Sequence, residues 1–324
     1  MVMYNTSNAH QKLDVVTCGE TMVLIHSGAG ERLRHAVALR LRIGGAETNV
    51  AIALARLGRT SGWISRVGYD ELGQLIVERV RAEGVDVSRV ERAPQATGLC
   101  LRDSGVNGTR GFYYRSGSAA AGMTPSMLDR DAIANARTVH LSGITPALSA
   151  DCRATVETII KIARAAGVTV SFDVNYRSKL WAAQDIRAFC EYWFHAIDIL
   201  FISHEEAALL WPEIDDETLI DTLAAAGPSE VLFKRGGGHS TAVIGSQRYE
   251  SPVFNVPVQE TTGAGDAFAG GYLAARLERL VPSERLRQAQ ATGAICVSGA
   301  GDYENLPSAQ ELATFLTGDA RHER

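Results

Sequence analysis

Apolar positions along this chain follow two different periods. Residues 13–18 are almost continuously apolar and stop at Gly19, and a second short run follows at 23–25. Runs of this length bounded by glycine predict strands, here two that pair with each other. The period then changes. Val50, Ala53, Leu54 and Leu57 recur at the i, i+3, i+4, i+7 spacing of one helix face, and Gly58 stands where a helix-ending glycine belongs. Leu72, Leu75, Ile76 and Val80, ahead of Gly84, predict a second helix of the same design.

Residues 97–116 break into short alternating segments, 99–102 and 111–115, separated by Gly105, Asn107 and Gly108, which is a hairpin signal. Beyond it, apolar strands at 138–141, 168–172, 197–202 and 231–234 alternate with helices, one carrying Val156, Ile159, Ile160 and Ala163 and one near 186–195. Strands apolar on both faces that alternate with helices imply a buried parallel sheet. Mixed β segments follow at 241–244 and 248–256, then helices at 267–280 and 283–297. The hairpin interrupts this plan and reads as a small β-sheet appendage over the edge of the site. The expected fold is α/β, a mainly parallel central sheet flanked by helices with a small β-sheet lid. It forms one domain over residues 13–317, with the lid drawn from segments near 20–42 and 96–117 and with flexible termini at 1–12 and 318–324.

Composition narrows the function classes. A chain of 324 residues, 46% hydrophobic and 21% charged, is that of a globular protein, and one α/β core with an appendage absorbs the length. Lys plus Arg number 32 against 37 Asp plus Glu, so a net charge of -5 supplies no basic field for nucleic acid or an anionic membrane. A phosphate-bearing partner must be held locally. Five scattered cysteines have no metal-binding or redox spacing and read as reduced thiols. The polar first twelve residues lack a signal core, and no run is long enough to span a bilayer, so a cytoplasmic protein is expected.

The strongest chemical signal is Glu260-Thr261-Thr262-Gly263-Ala264-Gly265-Asp266, where an extended segment turns into the helix carrying Phe268, Tyr272 and Ala275. Gly263 and Gly265 permit a tight backbone and close ligand approach, and the helix start offers unpaired N–H donors with about half a positive charge. Such a nest stabilises negative charge developing on a transferring phosphoryl group. Asp266 beside it is placed to take the proton of an attacking hydroxyl, a role worth about 10²–10⁴ in rate. Alone, Gly-Ala-Gly-Asp is more often a helix start with a first-turn acid.

The longer string, running on through Ala267 and Phe268, resembles the C-terminal signature of the ribokinase-type (PfkB) carbohydrate kinases. Gly44-Gly45-Ala46-Glu47-Thr48-Asn49-Val50-Ala51 resembles that family's N-terminal motif, whose glycines and asparagine contact the sugar. Further strings look like the 2-keto-3-deoxygluconate kinases within it: Tyr113-Tyr114-Arg115-Ser116-Gly117-Ser118, His140-Leu141-Ser142-Gly143, Phe172-Asp173-Val174-Asn175-Tyr176-Arg177, and Ser203 with Glu205 and Glu206. The resemblance covers about residues 13–307.

It implies ATP and Mg²⁺ as cofactors and a sugar acid as substrate, while an appendage sheet with an exposed face often pairs with a copy of itself, so a homo-oligomer through the lid is expected. Asp266 is the implied catalytic base. Gly45, Asn49, Tyr113, Arg115, Arg177 and Asp302 are implied for the sugar. Asn175, Ser203, Lys234, Gly236, Gly238, Gly263, Ala264, Gly265 and Gln290 are implied for the nucleotide and anion hole, and Glu206 for Mg²⁺ through water. A keto-deoxy acid carries a carboxylate, which an arginine fork suits. The sequence departs from the family pattern at Glu260, Ser203, Cys100 and His239. It holds no Walker string, no protein-kinase strings and no dinucleotide fingerprint after its first strand. A fructokinase or other sugar kinase of the same fold, and a non-catalytic sugar-binding protein, remain as alternatives.

Overall fold

The chain opens in a large sheet with β1 (Val15–Cys18), then lays β2 (Met22–His26) and β3 (Arg40–Gly44) into a smaller one. It returns through α1 (Ala46–Arg56) to β4 (Ser61–Gly68), α2 (Glu71–Ala82) and β5 (Val90–Ala93). A hairpin of β6 (Leu99–Gly105) and β7 (Gly108–Tyr114) completes the small sheet. Then come α3 (Arg130–Asn135), β8 (Thr138–Ser142), α4 (Ala150–Ala166), β9 (Thr169–Asp173), α5 (Ala183–Trp193), β10 (Ile199–Ser203), α6 (His204–Leu210) and α7 (Asp216–Ala225). The last elements are β11 (Glu230–Lys234), β12 (Ser240–Ile244), β13 (Gln247–Ser251), α8 (Ala264–Leu277), α9 (Pro282–Val297) and α10 (Ala309–Thr317). This computed structural model describes residues 12–27, 31–105 and 108–318. Asn107 of the expected hairpin turn and most of both terminal segments lie outside them.

The large sheet runs β13-β12-β11-β10-β9-β8-β1-β4-β5. Its strands from β11 to β5 are parallel, and β12 and β13 close one edge as an antiparallel meander. Consecutive residues of β1 serve opposite layers. Val16 and Cys18 pack toward α4 and α5, whereas Val15 packs with α1, α8 and α9. Helices therefore cover both faces, as a parallel sheet requires. The small sheet runs β3-β2-β6-β7, with β2 and β6 parallel and the outer pairs antiparallel.

The expectation that residues 13–18 pair with 23–25 is corrected here. β1 is a central strand between β8 and β4, and β2 belongs to the other sheet. Gly19 marks a crossing between sheets, where a Cβ would run into the Glu47 carboxylate. Residues 252–256 form no strand, and β4, β5, α3, α6, α7 and α10 go beyond the elements read from periodicity. β4 hid because it opens on Ser61 and because Ser65 interrupts its apolar run. Both are buried and donate to carbonyls, Ser61 to Ala51 and Ser65 to Gly19, each at 2.7 Å.

Candidate active site

The ends of β9, β10 and β11 put Asp173, Ser203 and Lys234 side by side, at the carboxyl edge of the parallel sheet where ligands of open α/β folds bind. The start of α8 comes down onto this edge. Gly263 caps the helix at φ +82°, and a Cβ there would collide with the Asp302 carbonyl, so this turn accepts only glycine. The Ala264 amide is spent on Thr261 O, at 3.3 Å. The amides of Gly265 and Asp266 have no partner among the described residues. Two amide donors, at 265 and 266, are thus left free at the start of α8.

Asp266 is anchored from two directions. Asn49 of α1 donates to its Oδ2 at 2.8 Å, and Asn175, held at φ +40°, donates to its Oδ1 at 3.4 Å. Burial pushes the Asp266 carboxyl up to about 7. The Asp173 charge adds to that rise, and the Asn49 bond, Arg177 and Lys234 offset part of it. A carboxyl poised near neutrality is suited to exchanging a proton at physiological pH. α1 reaches this position because its glycines let chains touch: a Cβ at Gly45 would meet the Glu20 carbonyl, and one at Gly44 the Asp302 carboxylate.

Just past the end of β7, Arg115 does not stand free. Its Nε donates to Oε2 of buried Glu20 at 2.7 Å, and Ser118 donates to the other oxygen at 2.7 Å. Nη1 has no partner among the described residues. Tyr113, 48% exposed, carries Arg115 6.0 Å from its ring centroid and Lys179 at 5.2 Å. Lys179 also donates to the Gly111 carbonyl at 3.1 Å, tying the loop after β9 to β7. Arg102 grips Asp302 bidentately at 2.8 and 3.0 Å. Cys100 is buried opposite Tyr113 and packs with Met22 and Leu24.

Gly236 and Gly238, which the resemblance implies for the nucleotide, form the turn after β11, with open space beyond Gly237. Ser203 caps α6 in a box with Glu206, whose oxygens accept from the Ser203 and Tyr176 amides at 2.8 and 2.7 Å. Each oxygen keeps one lone pair. Gln290 of α9 accepts from Ser240 at 2.5 Å. Asp266, Asn49, Asn175, Lys234 and the 263–265 turn form one cluster, with the exposed Arg177 close enough to act on Asp266. Glu20, Arg102, Asp173 and Lys179 belong to the site's charge balance and carried no motif signal in that role. Asp173 alone lay inside a quoted string, and its partner is Lys234, at 2.7 Å.

The family model described as pfkB family carbohydrate kinase matches residues 12–309. The chain belongs to that family. This kinase is 35% identical over 318 residues to the 2-dehydro-3-deoxygluconokinase of Bacillus subtilis, covering 94% of this chain and 96% of the relative. It is 36% identical to the 2-dehydro-3-deoxygalactonokinase of Haloferax volcanii, covering 87% and 88%. A Ribokinase II-type structure from E. coli, solved in complex with ATP and Mg²⁺, superposes with a TM-score of 0.87 at 26% identity, covering 94% and 99%. The ribokinase-like α/β fold with its separate small sheet is therefore the fold of this sugar kinase.

Proposed function

We propose that this kinase transfers the γ-phosphate of ATP to the 6-hydroxyl of 2-keto-3-deoxygluconate, with Asp266 as general base. The observation that carries the reading is Asp266 in the first turn of α8, bonded by Asn49 and Asn175, beside two unpaired amides. Asp266 takes the hydroxyl proton as the oxygen attacks. The amides of Gly265 and Asp266 receive the charge spreading onto the transferring group, and Arg177 faces it from the loop after β9. Gly45 and Asn49 lie against the sugar, and the 236–238 turn, Ser203 and Gln290 line the nucleotide side.

The residues fit Mg²⁺ that arrives on the nucleotide. Among the described residues no three acidic, histidine or cysteine side chains are grouped to cage a metal, and Glu206 keeps lone pairs for water. When bound, the ion neutralises phosphate charge.

The relatives' names support a keto-deoxy acid as acceptor, and so do Arg177, which acts on Asp266, and Lys179 beside Tyr113, two cations able to meet a carboxylate. The small sheet closes over the sugar and excludes water. Its outer side exposes Leu41, Phe112 and Tyr114, at 43%, 49% and 61%, and pairs with a second copy, giving a homo-oligomer. Five buried free cysteines suit a reducing cytoplasm.

The test is sugar-dependent ATP consumption with Mg²⁺, compared as kcat/KM across 2-keto-3-deoxygluconate, its galactonate epimer, fructose, ribose and nucleosides. Preference for the keto-deoxy acids is expected. Preference for fructose would make the chain a fructokinase, and silence on every acceptor would make it a binding protein. Sedimentation of the purified chain checks the oligomer.

A further inference from the structure

The charges of three carboxylates, one of them in direct contact, act on one lysine behind the phosphate turn. Asp173 ends β9, Glu206 lies in the first turn of α6, and Asp266 opens α8. The Lys234 side chain, 15% exposed, reaches among them from the end of β11 and donates to Asp173 Oδ2 at 2.7 Å. Asp173 itself is 2% exposed, and its Oδ1 is buried without a partner among the described residues. A Cβ on Gly265 would stand 3.3 Å from Lys234 Nζ. The ammonium therefore lies beside the turn that carries the free amides.

Buried ion pairs are weak sources of stability, because desolvation cancels much of their attraction. A pair held under an anion-binding turn has a chemical use instead: its cation is fixed in place before charge develops, so nothing need reorganise. Reading Lys234 only as part of the nucleotide loop leaves its bond to Asp173 without a purpose.

We propose that Lys234 and Asp173 form a positioning unit, in which Asp173 pins the Lys234 ammonium beneath the 263–265 turn so that its charge supports the anion hole and keeps Asp266 in its basic form. This rests on the reading of Asp266 as base. The charged and titratable groups facing Asp266 are Asp173, Lys234, Arg177 and the Cys296 thiol of α9. Burial pushes that thiol up to about 12, so it stays neutral, and Asn49 and Asn175 carry no charge. Lys234 and Arg177 draw the Asp266 proton off, and Asp173 retains it.

The experiment is the pH profile of kcat at saturating ATP, with the ATP KM, for Lys234→Met, Lys234→Arg and Asp173→Asn. Lys234→Met is expected to move the acid limb up by about one unit, since an opposite charge at this range shifts a carboxyl by about one to three units, and Asp173→Asn, which frees the ammonium from its place, to lower kcat more than it changes the ATP KM. Lys234→Arg should hold the limb in place, and ATP KM should change less than kcat. An unmoved limb with a raised ATP KM would make Lys234 a plain nucleotide ligand and overturn the proposal. Should Lys234→Met fail to fold, Asp173→Asn decides alone, an unchanged kcat there counting against the pair. Asp266→Asn with normal turnover would instead sink the base reading beneath it. Titration of the ¹³C-labelled Asp266 carboxyl by NMR gives the same comparison without a substrate, so an error in the sugar assignment does not blur the result.

Discussion

Arg115 and Glu20 are locked together, Nε to Oε2 at 2.7 Å, with Glu20 buried and its second oxygen held by Ser118. The arginine that the family resemblance implies for the sugar is thus already neutralised by the protein. Removing it strands a buried negative charge, which typically costs about 3–5 kcal/mol. Arg115→Ala should therefore lower the melting temperature clearly and depress turnover on acidic and neutral sugars alike. Thermal denaturation beside kcat/KM on both sugar types checks this. An unchanged melting temperature with a loss confined to the acid would show that the arginine reads the carboxylate directly.

Lys179 offers the cleaner probe of substrate charge. It has no acidic partner among the described residues; its contacts are the Gly111 carbonyl and the Tyr113 ring. Lys179→Met removes a cation from the sugar side without stranding an acid. A charge-assisted contact is worth about 1.5–3 kcal/mol, or roughly ten- to a hundredfold in binding. We expect that loss in kcat/KM for keto-deoxy acids, carried by KM, and little change for fructose. Equal losses on both would place Lys179 in sheet closure alone.

Asp266→Asn keeps the Asn49 contact through the amide oxygen but removes the base. Turnover should fall by about 10²–10⁴ while ATP still binds, measured as kcat against the nucleotide Kd. Near-normal turnover would take Asp266 out of the proton transfer.

Much of this was legible in the chain because the legible parts are local. Glycines at 263 and 265, and the Gly44-Gly45 pair ahead of α1, leave the same trace in sequence as in space: a turn, a close approach, a helix start. The parallel sheet was legible because β8, β9 and β10 are short, almost wholly buried segments set between helices, and β10 opens on an unbroken apolar run. What stayed hidden depends on contacts between distant segments. Arg102 and Asp302 are 200 positions apart, and Arg115 and Glu20 95 apart. Nothing near any of them marks the partner, so the charges in the cleft could be identified but not balanced. The same holds for β1 and β2, which are near neighbours in sequence yet separate sheets.

The charge balance also sets how stability responds to pH. Asp266 rises from an ordinary 3.8 to about 7 in the folded protein. Between those values the folded state holds a proton that the unfolded chain has released, so stability falls as pH climbs through that window and stays lower above it. Buried His140 works the other way. Its imidazole is pushed down to about 4 from 6.5, and the unfolded chain binds the proton first, so its contribution is lost as pH falls from 6.5 toward 4. The native curve superimposes both effects, and Asp266→Asn isolates one. The variant should melt above the native protein at pH 8, with the difference shrinking steadily toward pH 4.5. A difference that does not vary with pH would mean that Asp266 is ionised throughout and is no poised base.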